Sequence, residues 1–253
     1  MTLSKLLFEL SGETRLEILH ALETAPLTFT KIADQMDITS SEASRQIERL
    51  SGMNLIEKLA AGSYAITPLG RLMLSFLPGI DFVHKNSDFF LTHDTAKVPR
   101  ELVMRFGDLS DARFINGTIE AMNFMQERMR NVERYHCGMV DGLIDSIVPM
   151  VIERAKSGVI FRAILPETYR EKVSTIVDEC RTADATIPPH AIEIRTLPTI
   201  SICGAVTDRG GGFKLPFTDG SMDHSTMVVG NDPLFCKWCR DLYAHYWEQA
   251  DPI

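Results

Sequence analysis

Apolar residues recur at helical spacing through the first third of the chain. In residues 13–24, Leu16, Ile18, Leu19 and Leu22 form one stripe, which predicts an amphipathic helix. A shorter helix, 3–10, precedes it across Ser11 and Gly12, and residues 29–36 turn Phe29, Ile32, Ala33 and Met36 inward. Thr39 followed by Glu42 reads as a capping box, the threonine on the amide of Glu42 and the glutamate reaching back; the helix it opens runs to about Ser51, with Gly52 ending it. At 100° per residue Ala43, Ile47 and Leu50 fall within about 60° of one another. Ser41, Arg45 and Glu48 point the opposite way, with Ser44 and Arg49 on the flanks. Two short strands, 55–59 and 64–67, follow across a small glycine-containing turn, and Thr67-Pro68 caps a further helix over 70–77 that Pro78-Gly79 closes.

That order of elements predicts a winged helix-turn-helix over residues 1–77. In such a unit the capped helix enters a major groove about 12 Å wide and shows small polar and cationic groups outward. The residues placed for DNA are Thr39, Ser40, Ser41, Ser44, Arg45, Gln46 and Arg49, with Lys58 and Tyr64 flanking the hairpin tip. Arginine forks onto guanine or phosphate, hydroxyls take phosphate or base edges, and glutamine reaches adenine. The segments LSGETRLEILHAL, FTKIADQMDITSSEASRQIERLSGMNLIEKL and YAITPLG resemble the ArsR/MarR-type winged-helix regulators of archaea and bacteria. The whole chain resembles the archaeal family named for a methanogenesis regulator, through VPRELVMRFGDL, GVIFRAILPE and the closing NDPLFCKWCRDLYAHYWEQA. The resemblance implies DNA-binding transcriptional regulation with a sensing C-terminal domain.

Beyond residue 77 the periodicity changes. Residues 78–111 read as a connector with a helix at 99–107, in which His84 and His93 are loop histidines, their spacing matching no known ligand pair. Residues 112–136 read as one long helix with Met122, Met125 and Met129 among its apolar positions, equally a dimerisation helix or a core helix. A second helix over 140–156 is expected to kink at Pro149. Then Val159 to Leu165 is a nearly continuous apolar run, Pro166 to Arg181 is helical, and Ala191 to Leu197 alternates: a βαβ unit. Strands are expected at 200–207, 213–217 and 225–229, before a last helix capped by Asp232-Pro233. The fold class is therefore mixed α/β: an N-terminal winged helix-turn-helix plus a C-terminal α/β sensor-like domain over residues 112–253.

Composition narrows the function. The 253 residues carry 45% hydrophobic and 24% charged side chains, a globular mix. No apolar run reaches membrane-spanning length, no secretion signal opens the chain, and five cysteines show no framework spacing, so a cytoplasmic protein without membrane partners is expected. The net charge of −8 argues against a coat of non-specific nucleic-acid contacts. Residues 1–77 hold seven basic side chains against nine acidic ones, so DNA affinity is expected to depend on a homodimer and a few placed contacts.

No hydrolase elbow, metalloprotease helix or Walker loop is present; no catalytic residue, metal or cofactor is assigned. Glycines 210–212 lie between two expected strands, which is a hairpin rather than a phosphate loop. Cys236 and Cys239 open the last helix; no second pair exists for zinc, though Cys180, Cys203 or His224 could complete a site, and a redox pair is weighed against packing on the sheet. For an effector, Arg162 interrupts an apolar strand and needs an acid; with Arg195 it would suit a carboxylate or phosphate, against an internal ion pair with Glu193. Asp208 at a strand end, His224, with Asp219 and Asp223 close by, and Trp238 complete the effector candidates. The competing functions are a methyltransferase-like enzyme whose head only dimerises, and a constitutive DNA-binding protein without effector.

Overall fold

The structure is a computed structural model that describes residues 2–143, 145–183, 187, 188 and 190–253, the side chains of 179–183 excepted. Contacts divide the chain into two units, Met1–Pro78 and Gly79–Ile253.

In the first unit, α1 (Leu3–Leu10) and α2 (Glu13–Thr24) precede a short strand β1 (Leu27–Thr28) and α3 (Phe29–Gln35). After a turn comes α4 (Ser40–Gly52), then the hairpin β2 (Ile56–Lys58) and β3 (Ser63–Ile66), then α5 (Pro68–Lys85). β3 pairs antiparallel with both β1 and β2. Caps set the helix starts: Thr28 Oγ1 accepts from the Lys31 amide, Thr39 Oγ1 from Glu42 at 3.2 Å, and Thr67 Oγ1 from Gly70 at 3.0 Å. Asp37 and Asn54 hold positive φ in the turn before α4 and just past its end, positions these residues tolerate. Ile18, Leu19, Leu22, Ile32, Leu50 and Leu55 close one core. At Gly70 a side chain would drive into the Leu55 carbonyl, so glycine lets α5 pack on the hairpin. This is the expected winged helix-turn-helix. α5 differs from expectation: it continues through Pro78 to Lys85 instead of closing there.

The second unit is built on an eight-stranded sheet in the order β11-β7-β6-β5-β8-β9-β10-β4. Its strands are β4 (Arg113–Asn116), β5 (Tyr135–Met139), β6 (Ile160–Pro166), β7 (Ile192–Leu197), β8 (Cys203–Thr207), β9 (Gly210–Lys214), β10 (Thr226–Gly230) and β11 (Asp251–Pro252). β5, β6 and β7 are parallel, joined through α9 (Val148–Lys156) and α10 (Arg170–Ala183); every other pairing is antiparallel. One sheet face packs on α11 (Pro233–Gln249), with Met139, Ile164, Val206, Phe213 and Trp238 in that core. The other face meets α8 (Thr118–Asn131), α9 and α10, through Met129, Phe161, Met227 and neighbouring residues.

Several expectations are corrected here. Residues 79–111 are no connector. Phe82, Val98, Leu102, Phe106 and Leu109 are buried in the α11-side core, around α6 (Ser87–Thr92) and α7 (Arg100–Val103). The long helix over 112–136 is strand, helix, strand: Gly117, at φ +120, breaks it, and Phe114 and Ile115 pair with β10. Likewise β5 occupies the chain ahead of α9, and Pro149 sits in the first turn of α9, where it starts the helix instead of kinking it. Gly210–Gly212 lie inside β9 instead of forming the turn; Gly210, at φ +127, is the residue where the hairpin enters the strand.

Candidate nucleic-acid interface and ligand cavity

On α4, Ala43, Ile47 and Leu50 are buried, and Ser40, Ser41, Ser44, Arg45 and Glu48 are exposed, with the cap Thr39 at the same end. Arg45 pairs with Glu42 on its own helix and keeps most of its side chain in solvent. On the hairpin, Lys58 is exposed and places its ammonium 5.8 Å from the centre of the Tyr64 ring. Thr39, Ser40, Ser41, Ser44, Arg45 and Lys58 are thus exposed, and Tyr64 is half-buried against the core of the first unit.

Gln46 and Arg49 are corrected. Gln46 is buried: its Oε1 accepts from Arg15 Nη1 at 2.9 Å, and its Nε2 donates to Glu42. Arg49 forks onto Glu9, Nε to Oε2 at 2.8 Å and Nη2 to Oε1 at 3.2 Å, over the Phe8 ring. Arg15 donates to the carbonyls of Glu9 and Phe8 and lies 3.3 Å from the Glu9 carboxylate. These four side chains bolt α4 to the helices behind it. The capping box is also half made: the Glu42 carboxylate goes to Arg45 and Gln46.

In the second unit Cys137, Arg162 and Glu193 are in register on neighbouring strands, so they share a face. Arg162 Nε lies 3.2 Å from Glu193 Oε2, and Arg195 Nη2 lies 3.5 Å from Glu193 Oε1. Arg195 also donates to the Trp247 carbonyl at 3.0 Å and stacks 4.3 Å from that ring. The two arginines do converge, but on Glu193. Arg162 is also half exposed, so the premise of a buried cation seeking an acid falls.

Three other effector candidates have structural duties. Asp208 accepts from the amides of Glu133 and Arg134, each at 3.2 Å; burial would raise its pKa, but these amide bonds outweigh it and hold it low. Trp238 is fully buried and donates to the Leu102 carbonyl at 2.9 Å, a core residue. Asp223 is not a solvated turn residue, nor is His93 a solvated loop histidine. They pair at 3.0 Å with both side chains buried, Asp223 also accepting from Ser225.

His224 has a different setting. Its Nε2 lies 3.3 Å from Asp141, at the edge of a cavity of about 490 Å³ between the sheet and α8, α9 and α10. Met122, Met125 and Met129 line its roof; His136, Gly138, Ala163 and Leu165 lie on its strand side, with Cys203 and Lys214 near His224. The cavity combines an apolar lining with few polar groups, the usual character of a small-molecule site.

The cysteine motif is not poised for redox chemistry. Burial raises the pKa of both Cys236 and Cys239, and Cys239 packs against Gly211 on β9. The Cys180 side chain lies outside the described residues. Among the described residues no three His, Cys, Asp or Glu side chains gather as a metal site, and no helix is long and apolar enough to cross a membrane.

Residues 10–58 match the family described as a helix-turn-helix domain. Among curated proteins none matches this chain significantly. Among solved structures the chain is similar to TrmBL2, an archaeal chromatin protein whose structure shows a novel mode of DNA binding. The identity is 16%, with 96% of this chain and 94% of that one covered, at a TM-score of 0.45. It is similar to an IclR homologue from Microbacterium sp. strain HM58-2 at 12% identity, covering 92% and 95%, with a TM-score of 0.25. It is also similar to the dimethyltransferase RosA from Streptomyces davawensis at 12% identity, covering 76% and 63%, with a TM-score of 0.28. At these identities and scores the likenesses do not separate a regulator from an enzyme.

Proposed function

We propose that the chain is a cytoplasmic, sequence-specific DNA-binding transcriptional regulator of the archaeal methanogenesis-regulator type, dimeric and responsive to a small molecule through its C-terminal unit. The observation that carries this is the outward face of α4: hydroxyls and one arginine exposed on a helix whose far side is locked into the winged-helix core. That is the surface a recognition helix offers to base edges and phosphate.

Support for a dimer comes from apolar side chains left in solvent: Leu3 and Leu7 on α1, and Leu72, Phe76, Ile80 and Val83 along α5, at helical spacing. Two heads on half-sites about 34 Å apart would read a pseudo-palindrome. Each head neutralises few phosphates, so the pair supplies the affinity that one lacks. An effector in the second unit changes DNA affinity only by its own preference between two arrangements of the heads. Against a nucleotide-dependent enzyme, the glycine run lies inside β9, paired with strands on both sides, and not in a loop that opens a helix.

The test is selection of bound fragments from genomic DNA by the purified full chain, with a native mass spectrum of the same sample. Enrichment of a two-fold symmetric motif by a dimer is the expected result. Recovery of fragments without a shared motif would overturn sequence-specific regulation and leave a non-specific binder, and recovery of none would remove DNA altogether.

A further inference from the structure

The cavity of the second unit is far larger than the voids of a close-packed interior and falls within the roughly 300–1,000 Å³ of small-molecule sites. Its polar groups have an arrangement that apolar packing does not require. His136 is only 8% exposed, borders the cavity, and makes no hydrogen bond to another described residue. Its ring lies over Gly138, the next residue on that face of β5; a Cβ at Gly138 would come 2.8 Å from the ring. Burial pushes the His136 pKa down to about 4, against a hydrogen bond to its own backbone, so the ring stays neutral near pH 7 with one nitrogen engaged and the other left to the cavity.

Lys214 borders the same cavity from β9. It is half-buried, donates to the His224 carbonyl at 3.1 Å, and has no carboxylate within ion-pair distance among the described residues. The acid of that corner, Asp141, is already taken by His224 and by the Cys203 thiol. His136 is in register with Thr207 and Lys214 with Cys203. Four residues along the strands and two strands across put the two backbones about 16 Å apart. The rest of the lining is mainly aliphatic, with the Phe161 ring 5.6 Å from His136, and the methionine roof adapts to a flexible chain.

We propose that this cavity binds an aliphatic carboxylic acid carrying a second oxygen at its far end, the carboxylate on Lys214 and the hydroxyl or oxo group on the ring of His136. The effector part of the proposed function is thereby given a site and a chemical class, and the proposal rests on that reading only for its consequence. Binding is read on the full chain without DNA, so it fails or stands separately from DNA recognition.

The test is calorimetric titration of the full chain with ω-hydroxydecanoate, decanoate, decanol, decylamine and benzoate. The expected order is ω-hydroxydecanoate first, then decanoate about tenfold or more above decanol, with decylamine and benzoate weakest. Lys214→Gln brings decanoate down to the level of decanol, and His136→Phe erases the advantage of the ω-hydroxyl while leaving decanoate bound. Absence of binding by every acid to folded wild-type protein overturns the proposal. So does equal binding of decanoate, decanol and decylamine, a comparison that needs no variant to fold.

Discussion

Glu9→Ala is the perturbation that most directly probes how α4 is held. The Glu9 carboxylate takes two bonds from Arg49, at 2.8 and 3.2 Å, and lies 3.3 Å from Arg15, which is 6% exposed. Burial and the neighbouring Arg49 already lower the pKa of Arg15, with Glu9 opposing them. Removing the acid leaves two cations side by side, one of them buried. Breaking a buried pair from one side costs about 3–5 kcal/mol. Arg15 keeps its bonds to the carbonyls of Phe8 and Glu9 and to Gln46, and Arg49 is partly exposed, so the expected cost is nearer ~2–4 kcal/mol. The assay is hydrogen exchange of α4 peptides in the full chain. At roughly tenfold per 1.4 kcal/mol, protection falls by a factor of about 30 or more. Arg49→Ala, which removes only the partly exposed partner, costs about 1 kcal/mol. Equal small losses for both variants would refute the view that Glu9 neutralises a buried arginine and fastens α4.

Asp223 gives a pH dependence. Burial alone would raise its pKa, but hydrogen bonds from Ser225, Thr226 and His93 hold it well below the 3.8 of a free aspartate. A depressed pKa in the folded state contributes stability that is full above the unfolded value and lost as pH falls through and below it. Asp223→Asn should therefore be less stable than wild type at about pH 6, the gap narrowing toward about pH 3 in urea titrations. Gly210→Ala should cost about 2 kcal/mol or more, because φ is +127 and the new Cβ would meet the Gly230 carbonyl at 2.6 Å; urea titration reads this directly. Trp238→Phe leaves the Leu102 carbonyl without its 2.9 Å donor in a dry core, an expected loss of about 1–3 kcal/mol in the same titration.

The first unit was legible because its signals are local. Thr39 with Glu42, Thr67 with Pro68, and apolar residues at three and four apart each act within a turn or two of chain, and each element they predict is present. The polar face of α4 follows from the same wheel. What the wheel could not show is that Gln46 meets Arg15 and Arg49 meets Glu9, 31 and 40 residues away. In the second unit β6, α10, β7, β8, β10 and α11 were legible from apolar runs, alternation and the Asp232-Pro233 cap. β4 and β5 were not. The first adjoins a methionine-rich helical pattern, and the second places His136 and Gly138, neither a strong strand former, on its inward face. The only warning was Gly117. The cavity had no sequence signature, since its walls come from many elements that pattern alone does not bring together; the one available hint was a histidine alternating with apolar neighbours. Arg162 does interrupt an apolar strand, but its side chain is half exposed and Glu193 on the next strand meets it.

The central claim is that the exposed side of α4 reads base sequence. The most direct measurement is the affinity of wild-type protein and Arg45→Ala for the enriched duplex and for a scrambled duplex at one fixed salt concentration. The expected result is a loss of ~1–3 kcal/mol on the enriched duplex, with little change on the scrambled one. Equal affinities of wild type and variant for both duplexes would contradict it.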